Sequence, residues 1–272
     1  MNRLGVLGWP VAHSLSPAMQ NAALQAAGVG EKWRYQLLPV PPELFDETTR
    51  ALPAVGFRGV NVTIPHKAAA LALATDASAT ATATGAANTL LFNREGEIRA
   101  DNTDAPALIA ALRRRIEPAG ATALVLGAGG SARAAVWALR DAGARDVRVW
   151  NRTPERAAAL AAEFGSRAVA DPATAADADI LVNCTSVGLR EGDRLEAVAL
   201  SGEQLRHHRV VVDFVYREGG TALTHTAAAQ GVSVIDGLEL LVGQGALAFG
   251  LFTGLEAPVQ AMRDAVGLSS AR

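Results

Sequence analysis

The sequence has almost no cysteine: Cys184 stands alone among 272 residues. An internal disulfide is excluded, and one thiol with five scattered histidines offers no zinc-ligand spacing. A reducing, cytoplasmic setting fits this usage. Charge of one sign is not in excess either. With 25 Lys and Arg against 27 Asp and Glu, the net charge of −2 leaves no basic footprint for nucleic acid. Long hydrophobic runs are missing: none approaches about 20 apolar residues, and Gly and Pro interrupt the opening MNRLGVLGWPVAHSLSP within a few residues. Neither a membrane span nor a secretion signal is expected, and no repeat of solenoid period is visible. Lysine is the scarcest charge. Of the basic residues 23 are Arg, and only Lys32 and Lys67 are Lys. A guanidinium stays protonated at any working pH whereas an ammonium can release its proton, so a retained lysine in this chain invites a chemical reading.

What is present is core-forming material. Half of the residues are apolar and 19% are charged, which is too core-rich for a disordered chain and suits two domains of ordinary size. Short runs of Val, Leu and Ile alternate with longer Ala-rich amphipathic stretches, a βαβα pattern that predicts parallel sheet covered by helices. Strands are predicted at 4–7, 35–38, 59–63, 87–92, 123–126, 146–150, 180–183, 210–214 and 232–235. Helices are predicted at 17–27, 42–52, 105–116, 131–142, 154–164 and 223–230, and after Asp236 the strands stop and helices follow at 238–252 and 258–266. RRRIEPAGA, residues 113–121, breaks the style of the chain, so the helix starting at Ala105 reads as the connector between two domains. TDASATATATG, residues 75–85, reads as a plain surface helix.

In ATALVLGAGGSARAAVWALRDAG an apolar strand ending at Leu126 runs directly into Gly127, Ala128, Gly129, Gly130, Ser131 and Ala132, and then into an Ala-rich helix. Gly127 permits the tight turn, Gly129 lets the backbone approach a pyrophosphate, and the small Ala132 allows close helix-to-strand packing with free N–H groups facing the phosphates. An ordinary glycine-rich turn is the alternative, and the order strand, turn, helix counts against it. The second strand of this unit ends at Trp150, where an NAD site would place Asp or Glu for the ribose 2′-hydroxyl. Asn151, Arg152, Thr153, Pro154, Glu155 and Arg156 stand there instead. Thr153 as helix cap with Pro154 in the first position puts Arg152 beside the adenosine ribose and Arg156 one turn along. Two guanidinium groups suit a 2′-phosphate, hence NADP over NAD, although Arg156 by itself could equally belong to a solvated helix face.

Four polar segments of the first half fall where a strand meets a helix, the place where open α/β sheets bind ligands, and are expected to converge. HSLSP carries Ser14 and Ser16, of which Ser16 could simply cap a helix. NVTIPHK ends a buried strand at Thr63, and Pro65 begins a helix with Lys67 in its first turn, where the helix dipole disfavours a cation. Asn88 opens a strand in GAANTLLF, where a turn or bulge role is the alternative. Asp104 of DNTD precedes an amphipathic helix and in isolation reads as its N-cap. A carboxylate beside Lys67 favours the charged amine while partial burial and the helix N-terminus oppose it, which is how a lysine becomes a proton donor near neutral pH.

Taken together the segments resemble the shikimate dehydrogenase family nearly end to end: GWPVAHSLSP, NVTIPHK, GAANT, the NTD of DNTD, GAGGSA, NRTPER, NCTSVG, DFVY and DGLELLVGQGALAF. The resemblance implies that Ser14 and Ser16 bind a substrate carboxylate, with Tyr216 completing that end. It implies ring-hydroxyl contacts from Thr63, Lys67, Asn88, Asp104 and Gln244, a catalytic dyad of Lys67 and Asp104, cofactor contacts along Gly127 to Ser131 and Asn151 to Arg156, and Phe214 and Gly237 flanking the nicotinamide. It further implies an α/β protein of two domains. Residues 1–104 would form a mixed α/β substrate-binding and catalytic domain, 105–237 a Rossmann-type parallel-sheet domain for NADP, and 238–272 helices returning to the first. The implied activity is the NADPH-dependent, reversible reduction of 3-dehydroshikimate to shikimate in aromatic amino acid biosynthesis, on a small-molecule substrate, by a monomer or homodimer without metal, nucleic acid or membrane. A quinate/shikimate or aminoshikimate dehydrogenase of the same family is an alternative, and since such members often favour NAD, Arg152 and Arg156 speak against it. A non-catalytic NADP-binding sensor is another, and the joint retention of Lys67 and Asp104 speaks against that. Ala105 after DNTD, Leu240 in place of a common Met and the missing Pro in YREGGT depart from the family pattern without removing a polar contact.

Overall fold

The computed structural model describes residues 1–93, 95–190 and 192–268. Its backbone divides into two units, Met1–Asp104 with Leu241–Arg272, and Ala105–Leu240.

The first unit runs β1 (Asn2–Gly8), α1 (Ser16–Ala26), β2 (Trp33–Pro39), α2 (Phe45–Ala51), β3 (Phe57–Val62), α3 (Lys67–Leu73), β4 (Asp76–Ala77), α4 (Ala79–Thr84), β5 (Thr89–Phe92) and β6 (Ile98–Asp101), and ends on the first residue of α5 (Asp104–Arg113). Its sheet has the order β2-β1-β3-β5-β6-β4. The parallel expectation holds for β2, β1 and β3 and for the short pair β4 and β6, and fails between them: β5 is antiparallel to β3 and β6 antiparallel to β5. The short connection from Phe92 to Ile98 leaves no room for a crossover, which forces the second of these reversals. The segment expected as a plain surface helix instead pairs Asp76 and Ala77 with β6, and then forms a six-residue helix that Ser78 caps through Ala81 and that buries Ala81 and Thr84. β6 was not foreseen because IRAD offers only one cycle of alternation, with Ile98 and Ala100 in and Arg99 out. One face of the sheet carries Leu7, Val60, Val62 and Leu90, packed with Phe45 of α2 and Ala70 and Leu73 of α3. Each such fully buried Leu or Phe contributes roughly 1.5–3 kcal/mol.

The second unit continues α5 and runs β7 (Thr122–Leu126), α6 (Gly130–Asp141), β8 (Asp146–Trp150), α7 (Pro154–Glu163), β9 (Arg167–Ala168), β10 (Ile180–Asn183), α8 (Gly202–Leu205), β11 (Val210–Asp213), α9 (Ala222–Ala229), β12 (Ser233–Ile235) and the first residues of α10 (Gly237–Thr253). The rest of α10 and α11 (Val259–Ala265) belong to the first unit. The sheet order is β12-β11-β10-β7-β8-β9, with every pairing parallel. Starting from β7, the chain winds outward through β8 and β9, returns to β10 and winds out the other way, so the topological switch lies between β7 and β10. TALVL, ILVN and VVVD are buried along their whole length, as strands covered on both faces must be. Alternate residues feed two cores: Ala123, Val125, Ile180, Val182 and Val212 meet α5 and α6, while Leu124, Leu126, Leu181 and Val211 meet Leu205, Leu223 and Ala227. Among the described residues no helix is long and apolar enough to cross a membrane.

Candidate active site

In the first unit, register brings the four polar segments to one edge. Leu7 of β1 lies opposite Leu38 and Val62, so the loops after β1 and β3 leave the sheet together, and Trp9 N–H donates to the Ile64 carbonyl at 3.0 Å. Antiparallel β5 begins at this edge, and β6 ends there, because Thr89 pairs with both Asn61 and Asp101.

Lys67 itself is the first residue of α3, so the helix starts two residues later than the start expected at Pro65, and His66 holds the position before it. A cation is unfavourable there, and the compensation is direct: Nζ donates to Asp104 Oδ2 at 2.6 Å, with the two side chains 11% and 7% exposed. His66 fixes the approach. Its ring stacks on Phe45 at 4.5 Å, and Nε2 donates to the Val40 carbonyl at 2.7 Å. Burial holds this imidazole below its ordinary pKa, against the raising effect of that bond.

The capping role considered for Asp104 is taken by another residue. Asn102 Oδ1 accepts the Asp104 N–H at 3.0 Å, while Asn102 Nδ2 donates to the Ala86 carbonyl at 2.8 Å. The Asp104 carboxylate is thereby released for Lys67 on one oxygen and Asn88 Nδ2, at 2.9 Å, on the other. Asn88 is itself saturated: its second N–H goes to Thr103 Oγ1, and its Oδ1 accepts Thr103 N–H at 2.8 Å and Thr89 Oγ1 at 3.1 Å. This Asn88 holds a carboxylate in place, which is more than a turn or bulge residue does.

The other positions expected in this unit are placed less tightly. Leu15, not Ser16, precedes α1, and no side chain caps that helix; Ser16 is its buried first residue, and its N–H is accepted by Ser14 Oγ at 3.3 Å. Ser14 stands on the loop that leaves β1 at the same sheet edge and Ser16 on the helix residue that ends this loop, while Thr63 lies one residue past β3. Gln244 lies on α10 and donates to its own helix at the Leu241 carbonyl, 2.7 Å away.

In the second unit the glycine turn sits at the topological switch. Gly127 has φ +111°, and a Cβ there would stand 3.0 Å from the Cys184 carbonyl oxygen at the end of β10, so only glycine fits on both counts. Gly129 precedes α6, Gly130 and Ser131 begin it, and Ala128 packs on the core below. A Cβ at Gly129 would meet nothing within 4 Å, which leaves its backbone open to a pyrophosphate at the start of a twelve-residue helix. After β8, Asn151 Nδ2 donates to the Thr153 carbonyl at 3.0 Å; Thr153 holds the position before α7 and Pro154 the first turn, but the expected capping bond from the Thr153 hydroxyl is not made. Arg152 and Arg156 are exposed, and among the described residues neither forms an ion pair. An open turn and two uncommitted guanidinium groups fit NADP.

Phe214 follows β11 and leads to Tyr216 in a loop tied down by a fully buried carboxylate. Asp213 accepts Asn183 Nδ2 at 2.9 Å, the Val215 N–H at 3.0 Å and Thr221 Oγ1 at 2.7 Å, while Gly237 approaches so closely that a Cβ would fall 2.4 Å from the Val215 carbonyl oxygen. Burial pushes the Asp213 carboxyl up to about 6, against the lowering effect of these hydrogen bonds. Between pH 3.8 and about 6 the folded form therefore binds more protons here than the unfolded chain, and the stability this group contributes falls as pH rises through that window. An Asp213→Asn variant should lose this part of the pH dependence, on the order of 3 kcal/mol for a shift of roughly two pH units. Melting temperatures of parent and variant across pH 3.5 to 7, in steps of about half a unit, measure it; parallel curves would refute it.

Comparison with known proteins then places the chain. A profile described as the shikimate dehydrogenase substrate binding domain matches residues 6–90, one for shikimate / quinate 5-dehydrogenase matches 110–213, and one for the shikimate 5'-dehydrogenase C-terminal domain matches 237–266. A shikimate dehydrogenase (NADP(+)) of Thermus thermophilus is 47% identical over 268 residues, covering 97% of each chain. The chain belongs to the shikimate dehydrogenase family. Among solved shikimate dehydrogenases, that of Thermus thermophilus in complex with NADP(H) and shikimate superimposes with a TM-score of 0.86 at 43% identity over 98% of this chain and 99% of the other. That of Aquifex aeolicus gives 0.90 at 36% identity over 98% and 97%. Within this shikimate dehydrogenase fold, sequence reasoning missed the residues that hold the expected ones: Asn61, Thr89, Asn102 and Thr103 in the first unit, and Asn183, Asp213 and Thr221 in the second. The available signal was a polar side chain inside an otherwise apolar strand, as in GVNV and VVVD.

Proposed function

We propose that this chain catalyses the reversible, NADPH-dependent reduction of 3-dehydroshikimate to shikimate, an oxidoreductase reaction at a CH–OH group within aromatic amino acid biosynthesis. The observation that carries this reading is the buried Lys67–Asp104 pair, 2.6 Å apart at the sheet edge to which the polar loops of the first unit run. A buried ion pair adds little to folding compared with an apolar pair of similar volume, so chemistry is the better reason for its presence.

The unit of residues 1–104 with the C-terminal helices acts as the substrate and catalytic part, and the Rossmann-type unit from Ala105 as the cofactor part. Ser14 and Ser16 bind the substrate carboxylate with Tyr216, while Thr63, Asn88 and Gln244 take ring hydroxyls. Asn88 does so only by giving up one of the bonds it makes now, since both its N–H groups are committed. NADPH, when bound along Gly127 to Ser131 and Asn151 to Arg156 near Phe214 and Gly237, supplies the hydride for the carbonyl carbon. Lys67 delivers a proton to the carbonyl oxygen as negative charge develops there, and Asp104 holds the ammonium in place for that transfer. Fixing a hydroxylated ring by several hydrogen bonds contributes through orientation. In the reverse direction the Lys67 amine accepts the hydroxyl proton.

Arg152 and Arg156 support NADP over NAD. Arg152→Ala should raise KM for NADPH roughly tenfold and leave KM for 3-dehydroshikimate within about twofold, as loss of a phosphate contact remote from the chemistry requires. Equal small changes in both would defeat the 2′-phosphate assignment. Turnover of shikimate, quinate and their amino analogues under NADP and NAD tests the function as a whole. Fast oxidation of shikimate with NADP supports it, preference for quinate with NAD selects the sister activity, and cofactor binding without turnover of any polyol selects the sensor. The presence of one cysteine in the whole sequence supports a cytoplasmic location. Each chain carries its own dyad and its own glycine turn, so a monomer or homodimer suffices.

A further inference from the structure

Behind the Lys67–Asp104 pair lies a chain of buried polar groups that the proposed reaction does not itself touch. Tyr35 of β2 is 2% exposed, and its hydroxyl donates to Asn61 Oδ1 on β3 at 2.8 Å. Asn61 Nδ2 donates to Thr89 Oγ1 at 3.0 Å and to the Asn88 carbonyl at 3.3 Å. Thr89, fully buried at the start of β5, donates in turn to Asn88 Oδ1 at 3.1 Å. Asn88 Nδ2 then donates to Asp104 Oδ1, and Asp104 Oδ2 accepts Lys67.

The sense of every link is forced. A backbone carbonyl can only accept, so the Asn61 atom facing the Asn88 carbonyl must be nitrogen, and its oxygen must face Tyr35. With Asn61 nitrogen already donating into its hydroxyl, Thr89 turns its own single hydrogen toward Asn88. Thr103 N–H holds the same Asn88 oxygen from the other strand end at 2.8 Å. Donors thus crowd Asn88 Oδ1, polarise its amide and strengthen the N–H it directs at Asp104; hydrogen bonds in series reinforce one another where water is excluded. Tyr35 itself is locked at the backbone, since Asn21 of α1 accepts its N–H at 2.9 Å and donates to its carbonyl at 2.8 Å.

From this geometry we infer that Tyr35, Asn61 and Thr89 are positioning residues of the reaction, setting through Asn88 the orientation of the carboxylate that holds the catalytic ammonium. The inference rests on the reading of Lys67 and Asp104 as the catalytic pair. It concerns the second and third neighbours of the reacting groups, so the effect belongs in kcat.

The test compares Thr89→Val, Thr89→Ser, Tyr35→Phe and Lys67→Ala in full-length protein, at a temperature where circular dichroism shows each fully folded. Thr89→Val keeps the side-chain volume and removes the hydroxyl, and should lower kcat about tenfold with KM for 3-dehydroshikimate within about twofold. Thr89→Ser restores the donor and should return kcat to within about twofold of the parent, a rescue that a purely packing role of Thr89 would not produce. Tyr35→Phe, at the far end of the chain, should lower kcat about threefold, again without moving KM. If Lys67→Ala collapses turnover while Thr89→Val and Tyr35→Phe match the parent, the relay is refuted and the catalytic pair stands. Equal losses in Thr89→Ser and Thr89→Val also refute it. If Lys67→Ala turns over normally, the reading of the pair fails and the relay with it.

Discussion

Replacing Lys67 by alanine should lower kcat by a factor of about 10² to 10⁴ while leaving KM for 3-dehydroshikimate within about threefold, the pattern expected when a general acid is lost. Hydride addition to a ketone places negative charge on oxygen, and without a donor in reach that charge must find a proton from water. Lys67 is one of only two lysines in the chain, and it sits at the first position of α3, where the helix dipole opposes it. Its charge is held by Asp104 at 2.6 Å. Lys67→Arg should rescue little. A guanidinium preserves the charge and could keep the contact with Asp104, but it does not release a proton at working pH, so the arginine variant separates proton donation from simple electrostatics. Initial rates of NADPH oxidation for the three proteins decide the matter, and an arginine variant as fast as the parent would replace the acid with a charge.

The second large effect is on folding. Asp104→Ala takes the carboxylate away from a buried ammonium and strips Asn88 of an acceptor, and should destabilise the first unit by about 3–5 kcal/mol. Exchanging both members together is a different matter: a double variant with Lys67→Met beside Asp104→Ala should lose clearly less than the sum of the single losses, because no uncompensated charge is then left inside. Tryptophan fluorescence during urea unfolding can follow this, since Trp9 and Trp33 belong to the first unit and Trp137 and Trp150 to the second. Additive losses would mean that the two side chains are not energetically coupled, whatever their distance.

These predictions draw on the sequence and on the fold to different degrees. The βαβα alternation, the glycine turn after Leu126 and the long terminal helix were legible because each is a local pattern: a period, a φ requirement, a run of apolar residues. Local too was the oddity of Lys67 in an Arg-rich chain. The antiparallel turn of β5 and β6 was not legible, since a four-residue strand with one cycle of alternation carries no statement of direction. Nor was the division of labour in DNTD. Asn102 and Asp104 are both good capping residues, and nothing along the chain says which serves the helix and which serves the lysine. The answer comes from β5 and β6 lying side by side, which sets Asn88 against Thr103 and Asp104.

By itself, then, the sequence determined which residue types stand at each strand end, the turn that only glycine permits at 127, and the family to which the whole pattern belongs. Tertiary structure alone decided which of those polar ends meet: that Lys67 and Asp104 pair, that Asn88 is spent on holding the carboxylate, and that a tyrosine on β2 reaches them through Asn61 and Thr89. The physical reason is that hydrogen bonds between residues 15 to 37 positions apart depend on sheet register, and register is set by the burial of whole faces rather than by any short stretch of chain.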